Sequence, residues 1–303
     1  MSEKKIVMCG CHEYGAYLIP QLLQVGIQFS HFVVLTPEQG QRYEISGYHD
    51  FRPLADKHGI PFYVPETYAL SSERDRSFFD RQSFDLLIQG GWQRLFPAYL
   101  LDRLSVGAIG VHGSADYLPK GRGRSPLNWS LIEGRKRFLL HLFLMSNGAD
   151  DGDIIDVMDF DVNEFDDIRT LYYKNVIAQK KMLLRVIPNL LSGNFKLQKQ
   201  SGEPSYYPKR SPEDGEILWE EMDVGEIYNL IRALTRPYPG AFGRIVGLGL
   251  VKVWKARILD TRLSYPDAQY GEPVESFDGK LVLNCRGGLL LLEDYSIECG
   301  AEA

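Results

Sequence analysis

The chain has 303 residues, of which 44% are hydrophobic and 24% are charged, a composition typical of a globular protein with about two domains. Its net charge of -6 provides no general attraction to nucleic-acid phosphates or to anionic membranes. The four cysteines are too few for a disulfide scaffold, and no stretch approaches the roughly 20 apolar residues of a membrane span. We therefore expect a cytoplasmic protein with reduced thiols.

The first half of the chain alternates predicted strands and helices. An apolar run over 6–10 ends in a glycine and is followed by helical spacing of apolar residues over 14–25. Further strands are predicted over 32–35, 60–64, 84–88 and 107–111, and further helices over 51–58 and 97–104. This alternation predicts a doubly wound, mostly parallel α/β sheet of the Rossmann-like type, in which ligands bind beyond the carboxyl ends of the strands.

The glycine turn after the first strand does not match a known phosphate-binding loop. Ala16 and Tyr17 stand where a nucleoside-triphosphate loop requires Lys and Ser or Thr. His12 stands at the second glycine of a dinucleotide fingerprint. The turn either presents backbone amides to a ligand or only connects strand and helix. Cys9, Cys11 and His12 lack the spacing of a metal site, so no metal is expected.

The middle of the chain contains two predicted strands, over 138–145 and 153–158, which are joined by a turn with Asn-Gly and Asp-Gly dipeptides. A long helix is predicted over 171–191 and closed by Gly193. Residues 198–212 are polar and rich in proline, which is typical of a linker.

The last third of the chain has a different pattern of predicted elements. A helix is predicted over 224–234, and short strands with Gly and Pro turns follow from Phe242 onward, a pattern typical of a small β-barrel or β-sandwich. We therefore predict two domains. Residues 1–200 form the α/β domain, and residues 201–303 contain the linker, the helix and a mainly β, barrel-like domain.

The densest run of unusual residues surrounds His112. This histidine ends a predicted buried strand and leads into a basic, Gly-rich loop and a helix start at Ser125 and Pro126. Ligands bind at such strand ends in doubly wound folds. The alternative is an imidazole without a functional role.

Asp150 lies in the turn between the two predicted middle strands, from which a carboxylate can reach a histidine at another strand end. A carboxylate beside an imidazole favours its charged form and fixes its tautomer, as a proton-handling histidine requires. Without that contact the turn is a solvated acidic loop. We predict His112 and Asp150 as a catalytic pair.

Together these stretches resemble the 10-formyltetrahydrofolate-dependent formyltransferases. That family shares Asn-x-His, then Ser and Leu-Pro-x-x-Arg-Gly-x-x-Pro, and then Asp-x-Gly. The matching residues here are His112, Ser114, Leu118, Pro119, Arg122, Gly123, Pro126, Asp150 and Gly152. The resemblance implies transfer of a formyl group from 10-formyltetrahydrofolate as the co-substrate.

The C-terminal third of the chain is similar to the enzymes that formylate amino sugars on nucleotides. The similarity is carried by residues 210–219, 231–242 and 253–254, and residues 12–15 near the start share it. This similarity implies a sugar-nucleotide acceptor and a homodimer. A transfer-RNA formyltransferase shares the core but binds a polynucleotide, which calls for a basic surface. Residues 205–303 carry 11 Lys and Arg against 16 Asp and Glu. We therefore expect neither a nucleic-acid nor a membrane partner.

The resemblance also implies which residues bind the two substrates. The pterin lies between the loop 90–95 and the turn 147–151, largely against backbone groups. The folate-binding residues are then Gly91, Trp92, Arg94, Leu95, Asn147, Gly148 and Ala149, and the acceptor-binding residues are His12, Ser114, Arg122, Arg124 and Asn128. Trp92 either covers a ring face or belongs to the core. Arg122 and Arg124 either hold a carboxylate or phosphate or remain solvated.

One position departs from the family pattern, because the shared Asn falls on Gly110. In the family this Asn is understood to donate a hydrogen bond to the formyl oxygen, and loss of such a donor costs about 10²- to 10³-fold in rate. Protonated His112, Asn128 or a backbone amide freed by Gly110 is the candidate replacement. The alternatives are altered chemistry, either transfer of another acyl group or hydrolysis of the formyl-folate, and a non-catalytic protein that binds folate or a sugar nucleotide.

Overall fold

The computed structural model describes residues 4–45 and 47–298. Cys9, Cys11 and Cys285 are free and buried, whereas Cys299, also expected to be a reduced thiol, lies outside the described residues. None of the helices in these two ranges is both long and apolar enough to cross a membrane.

Strands and helices alternate through the first two thirds of the chain, and strands dominate the last third. The strands are β1 Ile6–Gly10, β2 His31–Val34, β3 Phe62–Tyr63, β4 Leu86–Gly90, β5 Gly107–Ser114, β6 Arg122–Gly123, β7 Arg137–Leu144, β8 Ile154–Asp161, β9 Tyr206–Tyr207, β10 Ala241–Ile245, β11 Gly249–Asp260, β12 Pro273–Phe277, β13 Lys280–Cys285 and β14 Gly288–Ile297. The helices are α1 Glu13–Gln24, α2 Pro37–Arg42, α3 Arg52–His58, α4 Glu73–Arg81, α5 Ala98–Leu101, α6 Pro126–Ile132, α7 Ile168–Ser192 and α8 Val224–Leu234.

The first sheet has seven strands in the order β3-β2-β1-β4-β5-β7-β8. The five strands from β3 to β5 run parallel, and β7 and β8 are antiparallel additions. All five residues of β1 are buried, as expected for a parallel strand covered on both faces. The predicted mostly parallel α/β sheet is confirmed.

The helices cover both faces of this sheet. On one face α1 and α7 pack against residues such as Phe32 and Leu142. On the other face Val7, Phe79 and Trp92 belong to a second core. Helices α2 and α4 were not predicted, because both are mainly polar and charged and lack a regular apolar stripe.

The second sheet has five antiparallel strands in the order β10-β11-β14-β13-β12. This arrangement confirms the predicted mainly β part. Helix α8 packs against β11, and its apolar side shares one core with Leu127 of α6 and Leu171 of α7. The guanidinium of buried Arg232 donates to the backbone oxygens of Asn163 and Asp166 at 2.7 and 2.9 Å. The two sheets are therefore joined by a continuous packed contact.

The predicted linker 198–212 is not a free spacer. Gln198 forms a backbone bridge with Ile154, β9 pairs in parallel with β6, and residues 212–215 form one turn of 3-10 helix. Its proline content suits this irregular course along the surface of the α/β part. The segment therefore lies beside the loop that follows His112.

Candidate active site

His112 lies inside β5, which extends past the predicted end of this strand to Ser114, and Asp150 reaches it from the turn between β7 and β8. The imidazole of His112 lies in β5, is only 8% exposed, and pairs across the ladder with His141 of β7. Its Nδ1 lies 3.4 Å from Oδ2 of Asp150, and its Nε2 lies 2.9 Å from the backbone oxygen of Gly121. Both ring nitrogens therefore face a defined polar group.

The contact with Gly121 fixes the tautomer of His112. A carbonyl oxygen only accepts hydrogen bonds, so Nε2 carries a proton and donates it to Gly121. Nδ1 of the neutral ring then has a lone pair directed towards the Asp150 carboxylate. A proton taken up at Nδ1 is therefore held between the imidazole and an acidic partner.

The turn that carries Asp150 depends on a glycine. A Cβ at Gly152 would lie 1.7 Å from the backbone oxygen of Leu144, so any side chain there would push the turn away from β7. Asp150 itself has φ +55°, a left-handed conformation that Asp adopts more readily than most residues. The Asp-x-Gly spacing thus has a steric cause in this fold.

Phe143 occupies the space beside Gly110. The two residues are directly opposite in the β5–β7 ladder, and a Cβ at position 110 would lie 2.4 Å from Cε2 of the Phe143 ring. An Asn at 110 therefore does not fit unless this ring moves. Gly110 also lies in the interior of a paired strand, so its backbone belongs to the sheet rather than to an open loop.

Asn128 has a structural role in α6. Its side chain is 2% exposed, and its Nδ2 donates to the backbone oxygen of Ala233 in α8 at 2.8 Å. Asn128 and His112 both line a cavity of about 240 Å³, but this amide is already engaged in the contact between α6 and α8. The Nε2–H of His112 is likewise already donated, to the backbone oxygen of Gly121, so the geometry does not single out one of the three candidate donors.

Two residues predicted to bind the acceptor instead contact the chain itself. Arg122 directs its Nη2 to Oε1 of Gln200 at 2.6 Å, and the hydroxyl of buried Ser114 accepts from the amide of Asp116 at 3.2 Å. The contact of Arg122 arises because the docked 198–212 segment covers the loop after β5, whereas that of Ser114 belongs to a local turn. Arg124 is exposed, and its backbone amide donates to Tyr207.

The loop after β4 contains the predicted folate-binding residues 91–95. Gly91 has φ +83°, and a Cβ there would lie 2.2 Å from that of His12. Trp92 is only 6% exposed and packs against Tyr68 and Phe96, so it belongs to the core and does not cover a ligand face. Arg94 and Leu95 are exposed.

The turn 147–149 is exposed and follows β7. Because β4 and β7 are the two neighbours of β5, this turn and the loop 91–95 flank the strand that carries Gly110 and His112. Exposed backbone on both sides of a reacting centre suits a flat ligand held through main-chain groups. The residues therefore fit a bound pterin, whose outer edge Arg94 and Leu95 would border.

His12 begins α1 as its N-cap. Its Nδ1 accepts a hydrogen bond from the amide of Tyr14 at 3.3 Å, and the two rings stack with centroids 4.5 Å apart. Burial lowers the pKa of His12, which favours the neutral ring that this contact requires. His12 thus positions Tyr14, which lines a second cavity of about 570 Å³ between α1 and α7.

Sequence reasoning missed Phe143 and Gln200. Phe143 stands in an ordinary apolar strand run, and only its register with Gly110 reveals its role. Gln200 donates to the backbone oxygens of Asp150 and Gly152 at 2.8 and 2.9 Å. No local pattern signals contacts between residues so far apart in the chain.

Comparisons with known proteins agree with this geometry. Residues 52–187 match the family model described as formyl transferase, and residues 209–303 match formyl transferase, C-terminal domain. Methionyl-tRNA formyltransferase of Bacillus velezensis is 31% identical over 251 residues, which are 82% of this chain and 77% of that protein.

Two solved structures share the fold. The N-formyltransferase from Helicobacter canadensis, in complex with folinic acid and dTDP-3-aminofucose, has a TM-score of 0.70 at 15% identity and covers 97% of this chain and 100% of its own. HypX from Aquifex aeolicus, in complex with tetrahydrofolic acid, has a TM-score of 0.63 at 18% identity. That match covers 96% of this chain but 44% of HypX, so this chain spans less than half of HypX.

The matches extend over both sheets, and the identity to the Bacillus protein covers most of both chains. Enzymes of this family use 10-formyltetrahydrofolate as the formyl donor. The chain therefore belongs to the formyl transferase family and is an enzyme that transfers a formyl group from a folate donor.

Proposed function

We propose that this enzyme formylates the primary amine of a nucleotide-linked amino sugar, with His112 and Asp150 as its catalytic pair. The observation that carries the acceptor class is the cavity between α1 and α7. Its volume of about 570 Å³ is in the range of small-molecule sites. A cleft of this size suits a sugar nucleotide better than a polynucleotide.

The chemistry of the cavity lining supports the same acceptor. Four tyrosines and two arginines contribute to it: Tyr14, Tyr17, Tyr172, Tyr173, Arg169 and Arg236. Aromatic rings stack on a nucleobase, and guanidinium groups bind phosphate oxygens through paired donors. Tyr172 also lines the smaller cavity next to His112, which links the acceptor site to the reacting centre.

Bound 10-formyltetrahydrofolate supplies a formyl carbon that a neutral amine attacks, with loss of the bond to the folate nitrogen. Negative charge develops on the formyl oxygen, and a proton taken up by the His112 ring places a compensating positive charge in the site. Asp150 stabilises the ring while Nδ1 holds the proton that the amine loses, and this proton passes to the folate nitrogen as its bond to the formyl carbon breaks. Gly121 keeps the ring oriented through Nε2.

A transfer-RNA acceptor is disfavoured by charge. Residues 205–303 carry a net excess of five acidic residues, and phosphate backbones are bound by Lys and Arg clusters. The relatedness to a transfer-RNA formyltransferase therefore supports the donor and the chemistry rather than the acceptor.

The test is to incubate the purified protein with 10-formyltetrahydrofolate and a panel of amino-sugar nucleotides, and to follow tetrahydrofolate release and product mass. We expect a formylated sugar nucleotide. Formylated methionyl-tRNA as the preferred product would contradict the acceptor class. Formate release without an acceptor would identify a hydrolase, and donor binding without any product would identify a binding protein.

A further inference from the structure

We propose that Gln200 is a positioning residue that sets the geometry of the His112–Asp150 pair. This inference rests on the catalytic role proposed for the pair. The Gln200 amide is shared between the two catalytic loops. Its Nε2 donates to the backbone oxygens of Asp150 at 2.8 Å and Gly152 at 2.9 Å, and its Oε1 accepts from Nη2 of Arg122 at 2.6 Å.

Arg122 belongs to the loop that orients the imidazole. The preceding residue, Gly121, accepts from Nε2 of His112 at 2.9 Å, and its own amide donates to the hydroxyl of Ser205 at 2.9 Å. Strands β6 and β9 extend the same contact. The segment 198–207 therefore contacts the loop that holds the ring and the turn that carries the carboxylate.

The contact between ring and carboxylate is sensitive to a small displacement of the turn. Nδ1 of His112 and Oδ2 of Asp150 are 3.4 Å apart, which is at the outer edge of hydrogen-bond range. The backbone oxygen of Asp150 is held by Gln200, so loss of that bond frees the turn at the catalytic residue itself. A displacement of about 1 Å in such a constellation can cost about 10²-fold in rate.

Three variants separate the contacts of Gln200. Gln200→Glu keeps an acceptor for Arg122 but removes both donors to the turn, whereas Gln200→Ala removes all three contacts. Gln198→Ala is the matched control, because Gln198 is exposed and meets Ile154 through its backbone. Two readouts apply to each variant: the Nδ1 signal of His112 in ¹⁵N-histidine spectra, assigned by its loss in His112→Gln, and kcat with KM for the formyl donor.

We expect both Gln200 variants to shift the His112 Nδ1 signal in the same direction as Asp150→Asn does. We also expect kcat to fall about 10- to 100-fold with little change in KM for the donor. Gln198→Ala should match the wild type in both readouts. An unchanged Nδ1 signal in Gln200→Glu, or an equal loss of kcat in Gln198→Ala, would overturn the inference. The spectra need no acceptor, so they decide the role of Gln200 even if no amino sugar is formylated.

Discussion

The two sides of the reacting centre are built in different ways. On one side, His112 and Asp150 form a polar pair whose ring and turn are held by backbone contacts. On the other side, Gly110 and Phe143 form a packed apolar contact where the family pattern has an Asn. The polar pair of the family pattern is therefore present, whereas the position of its Asn is a glycine covered by a phenyl ring.

The largest expected effect is on the polar side. On the proposed mechanism, replacing His112 by Ala removes the ring that takes up the proton of the amine, so we expect a loss of about 10²- to 10⁴-fold in kcat. His58→Ala, which changes an exposed histidine in α3, should leave kcat unchanged. The rate of tetrahydrofolate release measures both. Near-normal turnover by His112→Ala, with the fold intact by circular dichroism, would contradict the assignment.

The second prediction concerns His141, the cross-strand neighbour of His112. Burial lowers the pKa of His141 to about 4, whereas an unfolded chain takes up this proton near pH 6.5. Acid therefore favours the unfolded chain, and the free energy of unfolding should fall by about 3 kcal/mol between pH 7 and pH 4 on account of this group.

Denaturant titrations across this pH range measure the effect. His141→Gln keeps an acceptor for the amide of Leu118, which now bonds to Nε2 at 3.4 Å, and should flatten the dependence. His58→Gln is the control on an exposed histidine. The same pH slope in wild type and His141→Gln would show that burial of this ring does not govern the acid sensitivity.

The third prediction tests the apolar side. Gly110→Asn should destabilise the fold by about 1 to 3 kcal/mol, because its Cβ would overlap the Phe143 ring. In a chain that already carries Phe143→Ala, the change Gly110→Asn should cost less stability than it does in the wild type. Thermal unfolding of the two single variants and of the double variant measures the coupling. Additive effects would show that the ring does not fill the space beside Gly110.

The smallest expected effect lies in the acceptor cavity. Arg169→Ala removes an exposed guanidinium from its lining, so KM for the sugar nucleotide should rise about 10-fold. KM for the formyl donor should not change. Lys181→Ala, an exposed change farther along α7, is the control. A rise in donor KM instead would assign this cavity to the folate.

The sequence predicted the sheet, α1, α7 and α8, because each depends on local apolar spacing. It also predicted the contact between His112 and Asp150, because a turn between two neighbouring strands can reach the adjacent strand. The roles of Trp92, Arg122 and Phe143 could not be predicted in this way. A tryptophan such as Trp92 is as typical of a core as of a binding site. Phe143 fills the space beside Gly110 only because of the register between β5 and β7. Gln200 contacts residues 48 to 78 positions away, beyond any local pattern.

The most direct measurement is the single-turnover rate of formyl transfer by Asp150→Asn. This change keeps the shape of the side chain and the backbone bond to Gln200, and it removes only the charge beside Nδ1 of His112. We expect a loss of about 10²-fold or more, without loss of donor binding. A rate within about twofold of wild type would contradict the claim that this pair carries the proton transfer.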